Sequence, residues 1–126
     1  MKIVDRVFGY LLVLGALGHT IGTIVWLKPM SDLFIWSLGA ALAGFVLGAL
    51  NIVRAGRPGD RAVAAIATVG TAAWMFLALT FGISIHHVSD PRPLSHIIIS
   101  LVLVLFGIRS LAMTPQPTPQ AATTLR

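Results

Sequence analysis

Four long apolar runs, separated by short polar breaks, set the limits on this chain: Val7 to Leu27, Leu33 to Val53, Ala62 to Ile85, and Leu94 to Met113. Each is about 20 residues or a little more, the length a helix needs to cross a hydrocarbon layer about 30 Å thick. A membrane strand needs about half as many residues and would alternate polar with apolar side chains. An open segment in lipid satisfies its backbone only as a helix. The expected fold is all-α: a four-helix transmembrane bundle with up-down-up-down connectivity. One domain, 1–113, holds helices at 7–27, 33–53, 62–85 and 94–113.

Charge supports this reading more strongly than hydrophobicity does. Only 10% of the residues are charged, against about 25% in soluble proteins. Glutamate is absent, and Asp5, Asp32, Asp60 and Asp90 all fall outside the apolar runs. The net charge of +5 does not point to nucleic acid, because the basic residues flank apolar segments instead of clustering on a polar face. Cysteine is absent, which removes disulfides and thiolate metal sites.

The breaks carry punctuation. Lys28-Pro29 closes the first helix, and Ser31 or Asp32 caps the second. The run from Arg54 to Arg61 reads as a turn, with Asp60 as the next cap. Pro91 and Pro93 are expected to hold off the fourth helix until Leu94. The segment 114–126, with Pro115, Pro117 and Pro119, is expected to be a disordered cytoplasmic tail. Lys2, Arg6, Arg54, Arg57, Arg61, Arg109 and Arg126 fall on one side, and Lys28 and Arg92 on the other. That imbalance places both termini in the cytoplasm. Arg109 is expected to snorkel to the inner interface. A cleaved leader is the rival for the first run, but the run is too long and lacks a clean cleavage site.

Small and polar residues recur in steps of three and four, and each stripe is expected to face the bundle interior. The stripes are Gly15, His19, Gly22 and Trp26; Ser37, Ala41, Gly44, Gly48 and Asn51; Thr68, Thr71, Met75, Ala78, Gly82 and His86; and His96, Ser100, Leu103, Gly107 and Ser110. Gly18-x-x-x-Gly22 and Gly44-x-x-x-Gly48 are expected to pack helices within the chain, with homodimerisation through an outer face as the alternative.

His19 is the titratable residue deepest in an apolar run. It and its neighbours Gly15, Gly22 and Thr23, with Ser100 across the bundle, are the candidate ligand site. The plainer role is a neutral imidazole bonded to a neighbouring helix. His86, His87, Asp90 and His96 have the ligand types for zinc, copper or nickel, although adjacent histidines on a helix diverge by about 100°. Haem b held by His19 and His96 is disfavoured, because His96 lies near the start of its run and His19 is deeper. Trp26 and Trp36 suit an interfacial belt, and Trp74 suits packing. No nucleophile elbow, paired carboxylate or phosphate loop is present, so no catalytic residue is assigned.

The run Gly18-His19-Thr20-Ile21-Gly22-Thr23 and the loop from Arg54 to Arg61 resemble those of small four-helix bacterial membrane proteins, and the build is similar to DoxX-like proteins. The resemblance implies a bacterial inner membrane and carries no activity. The expected function is that of a small polytopic inner-membrane protein acting as an interaction or accessory subunit, or as a bundle that holds a small apolar ligand. Its partners would be the bilayer, a second copy or another membrane protein, with no cofactor needed. The alternatives are a redox protein using His19 with a quinone or haem, and a small-solute transporter with His19 as its polar waypoint.

Overall fold

A computed structural model describes residues 1–113; the expected tail lies outside the described residues. Four helices follow in order: α1 (Lys2–Trp26), α2 (Asp32–Gly56), α3 (Arg61–Ser84) and α4 (Pro91–Ala112). No strand occurs among the described residues. Short connections make sequential helices antiparallel neighbours. The α1/α2 and α3/α4 pairs are tightly packed hairpins, joined along thinner α1/α4 and α2/α3 seams.

The caps explain where the helices begin. The Phe34 amide donates to Ser31 Oγ at 3.2 Å, and the Val63 amide to Asp60 Oδ1 at 3.1 Å. The fourth helix starts earlier than expected, at Pro91. Proline is tolerated in a first turn, where an amide has no intrahelical acceptor. Asp90 caps this end, accepting from the Arg92 backbone at 2.9 Å. At the close of α3, His86 adopts a left-handed conformation at φ 54, and the His87 amide donates back to the Gly82 carbonyl at 3.0 Å.

Two other ends also differ from expectation. The first helix begins at Lys2 and the second runs on to Gly56. Asp5 and Arg54 therefore lie within helices, not outside them. Neither is an isolated charge there, because they meet each other across the bundle.

The core is built from small and polar side chains. Ala16, Ala41, Ala64, Ala67, Thr71 and Ser100 are buried, together with Leu12 and Leu103. Large apolar side chains point outward: Leu14, Leu42, Ile66, Val69, Phe76 and Leu105 are all exposed. A water-soluble bundle has the reverse arrangement. In lipid there is no hydrophobic gain from pairing helices, so small residues go inside, where backbones approach closely. All four helices are long and apolar enough to cross a membrane, and the chain is a small membrane protein with its outer faces in contact with lipid.

The backbones of α1 and α2 approach each other closely. A Cβ on Gly48 would sit 3.0 Å from the Val13 backbone nitrogen and 3.1 Å from the Gly9 carbonyl oxygen. A Cβ on Gly9 would in turn sit 3.4 Å from the Gly48 carbonyl oxygen. Gly44 faces Ala16 and Trp74. Gly18 and Gly22 depart from the expected packing within the chain: nothing lies within 4 Å of a Cβ at either. On α1 the inward stripe is Asp5, Gly9, Leu12, Ala16 and Thr23. Gly18, two residues beyond buried Ala16, lies about 160° round the helix from it and is exposed.

Candidate functional site

Two polar clusters occupy the bundle, one at each end. At the end where the chain begins, Arg54 is 1% exposed and bonds three groups. Its Nη2 donates to Asp5 Oδ1 at 2.5 Å, its Nη1 to Ser110 Oγ at 3.0 Å, and its Nε to Asn51 Oδ1 at 3.2 Å. Asn51 Nδ2 then donates to Thr71 Oγ1 at 2.8 Å and to the Leu47 carbonyl at 2.9 Å. One residue or more from every helix enters this network. A buried guanidinium is tolerable only when it is paired and its donors are engaged. The cluster therefore has the character of a fastening between helices, not of an open site. Asn51, Thr71 and Ser110 were visible in the sequence as inward polar positions. Asp5 and Arg54 were not, because each looked like a charge bordering an apolar run.

The second cluster lies towards the other end. His96, from α4, is half-buried, and its ring lies against Gly15 of α1. A Cβ on Gly15 would sit 2.8 Å from His96 Cε1 and 3.2 Å from Nε2. Glycine is thus what lets the imidazole reach α1. Trp74, from α3, packs on the other side with its ring centroid 5.7 Å from that of His96 and an edge-on angle of 72°. Its Nε1 donates a long hydrogen bond, 3.4 Å, to His96 Nδ1. That bond makes Nδ1 the acceptor and leaves the proton of the neutral ring on Nε2. No protein acceptor meets Nε2 among the described residues.

His19 sits on the same side of α1, one turn beyond Gly15. The His96 ring, lying against Gly15, is one turn of α1 from His19, about 6 Å along the helix. The depth argument against their proximity therefore fails: α4 begins at Pro91, and the His96 ring is level with Gly15. His19 is three residues after buried Ala16 and four before buried Thr23, yet its own side chain is exposed. The His96 ring fills the gap between α4 and Gly15, and His19 lies exposed one turn further along α1. Thr23 turns its hydroxyl back to the His19 carbonyl at 2.8 Å and does not enter the seam. Gly22 is partly exposed and contacts nothing.

One turn inward from His96, Ser100 is fully buried, and its Oγ has no hydrogen-bond partner. It is the single orphaned buried side-chain atom among the described residues. A shallow apolar hollow on α4, lined by Met1, Val102, Leu105, Phe106 and Arg109, lies at the opposite end from the histidines. Arg109 is exposed there, near the C-terminal end of α4, with its guanidinium on the Met1 sulfur.

The expected metal cluster is not assembled. Among the described residues, no three His, Asp or Glu side chains converge to hold an ion. His86 and His87 are exposed in the turn that ends α3, while His96 turns into the bundle. Asp90 is engaged by Arg92, accepting at 2.9 and 2.8 Å from Nε and Nη2. The Arg92 guanidinium and backbone amide hold the Asp90 carboxyl well below the usual carboxylate range. Trp26 and Trp36 are 80% and 78% exposed beside the turn of the first hairpin, where a membrane–water boundary suits an indole. Comparison of the chain with protein-family models, with curated proteins and with solved structures finds no match.

Proposed function

We propose that this protein is a small inner-membrane bundle, of bacterial build, that holds a lipid-soluble ligand at the α1/α4 seam beside His96 and His19. One observation carries this reading: the half-buried His96 has no protein acceptor for its Nε2–H, and the exposed His19 stands one turn away on the facing helix, within the apolar layer. Ionisable groups within a membrane segment are costly and are usually partnered. Here the partner is a ligand that enters sideways from the lipid. The basic residues Lys2, Arg6, Arg57, Arg61 and Arg109 gather at the end of the bundle that holds the N-terminus, which supports cytoplasmic termini.

The test is extraction of apolar compounds from protein purified in mild detergent, followed by mass spectrometry. The expected result is one compound enriched with the wild-type chain and depleted with His96→Phe, which keeps a ring against Gly15 but donates nothing. Equal recovery from both proteins would count against the site. A second reading, lateral association with another membrane helix, is supported by the open Gly18 and Gly22 positions. Cross-linking of single-cysteine variants at Leu14 in membranes tests it.

A further inference from the structure

We infer that the ligand at this seam is an uncharged ring bearing carbonyl oxygens, of the quinone class, and that His96 Nε2–H donates to one of those oxygens. This deepens the function proposed above and rests on it. The protonation state makes the first selection. With Nδ1 accepting from Trp74 Nε1 at 3.4 Å, His96 offers the seam a donor and no lone pair. Its complement is an acceptor. A metal or haem iron would need the Nε2 lone pair, and therefore loss of the Trp74 bond.

Depth makes the second selection. His19 lies seven residues before the end of α1 at Trp26, about 10 Å along the helix. His96 is level with Gly15, deeper still. Ester carbonyls of phospholipids are tied to headgroups at the top of the apolar layer. A carboxylate at this depth would need a cation, and the basic residues at that end, Lys28 and Arg92, lie at its rim. A hydroxyl-bearing lipid brings a donor of its own and settles at the water boundary. A quinone-type ring is uncharged, soluble in hydrocarbon, and carries acceptors only. One of its oxygens accepts from His96, and His19 lies one turn of α1 beyond.

Trp74 gives the readout, because its indole lies edge-on to His96 and quinones quench indole fluorescence. The test uses the full chain in nanodiscs, with Trp26 and Trp36 replaced by Phe so that Trp74 is the remaining indole. The probes are a benzoquinone with a ten-carbon tail and an alkylbenzene of the same length. The expected result is saturable quenching by the quinone, beyond the linear lipid background. Binding weakens about five- to tenfold in His96→Phe, the loss of one hydrogen bond in apolar surroundings. His96→Gln, which keeps a donor, recovers part of it. Competition reads the alkylbenzene, which is expected not to displace the quinone.

If the alkylbenzene competes equally and His96→Phe binds quinone unchanged, the carbonyl assignment is wrong while an apolar site at the seam survives. If no saturable quenching occurs and extraction also yields nothing, the site itself is refuted. Should His96→Phe fail to fold, Gly15→Leu serves instead. It fills the space the imidazole occupies, and unchanged quinone binding in that variant overturns the inference.

Discussion

Arg54 and Asp5 form a buried ion pair between helices, and their energetics bear on how the protein responds to mutation. A buried charge left without its partner costs about 3 to 5 kcal/mol, whereas removing both partners together costs far less. Arg54→Met or Asp5→Leu alone should therefore destabilise the bundle by about that amount, and the double variant should recover most of it. Unfolding in graded detergent denaturant measures the cycle; additive losses would show that the pair is not coupled. Ser100 predicts the opposite sign. Its hydroxyl is buried and unpartnered, so Ser100→Ala should leave stability unchanged or raise it by about 1 kcal/mol. A clear loss in the same assay would mean that the hydroxyl is engaged.

Asp90 sets a pH expectation. The native state favours its ionised form, held by Arg92. Its capping contribution is therefore complete above the ordinary carboxylate value, near pH 4, and fades only as pH falls through the lower native value. Carbon-13 NMR of the Asp90 carboxyl should show no midpoint between pH 5 and about pH 3, the range in which an ordinary aspartate titrates. The sequence revealed that these charged residues exist but not whom they meet. Asp5 and Arg54 are separated by 49 positions, and nothing local in either segment marks the pairing.

Among the elements, α1 shows best what periodicity reveals and what it hides. Its length and apolar character were legible, and so were the inward positions of α2 from Ala41 to Asn51. The rotation of α1 was not. The predicted stripe followed Gly15, His19 and Gly22, but the helix buries Gly9, Leu12, Ala16 and Thr23. The cause is the close crossing at Gly9 and Gly48, which turns α1 so that Gly18 and Gly22 look outward. Two apolar faces of one membrane helix differ little in hydropathy, so only the partner helix selects between them.

The two glycine motifs should therefore behave differently. Gly48→Val must push the Val13 and Gly9 backbones apart and should cost about 1 to 3 kcal/mol. Gly18→Leu meets open space and should leave the fold intact. Thermal stability of the two variants in one detergent checks the contrast; equal effects would refute the crossing point. The start of α4 at Pro91 is not legible in the sequence, because proline breaks a helix interior but is accepted in a first turn.

For the whole molecule, composition settled the class. A chain with 10% charged residues and four apolar spans lacks the polar surface to cover itself in water. The fold follows from the solvent: large side chains dissolve in lipid, small ones let the helices meet, and the few polar groups gather along the axis. What composition did not show is that the His96 ring comes to lie between Gly15 and Trp74, one turn from an exposed His19. That depends on how far the His96 ring reaches towards Gly15, a matter of packing and not of pattern.

Because the chain has no cysteine, single-cysteine variants report on one position each without a background. The most direct measurement is spin-label accessibility at Leu14, Leu42, Val69 and Leu105 in lipid vesicles, with oxygen and a water-soluble nickel chelate as relaxers. Immersion of all four helices in the bilayer predicts strong relaxation by oxygen and almost none by nickel at every one of these positions. Strong nickel relaxation at any of them would place that helix in water and contradict the account.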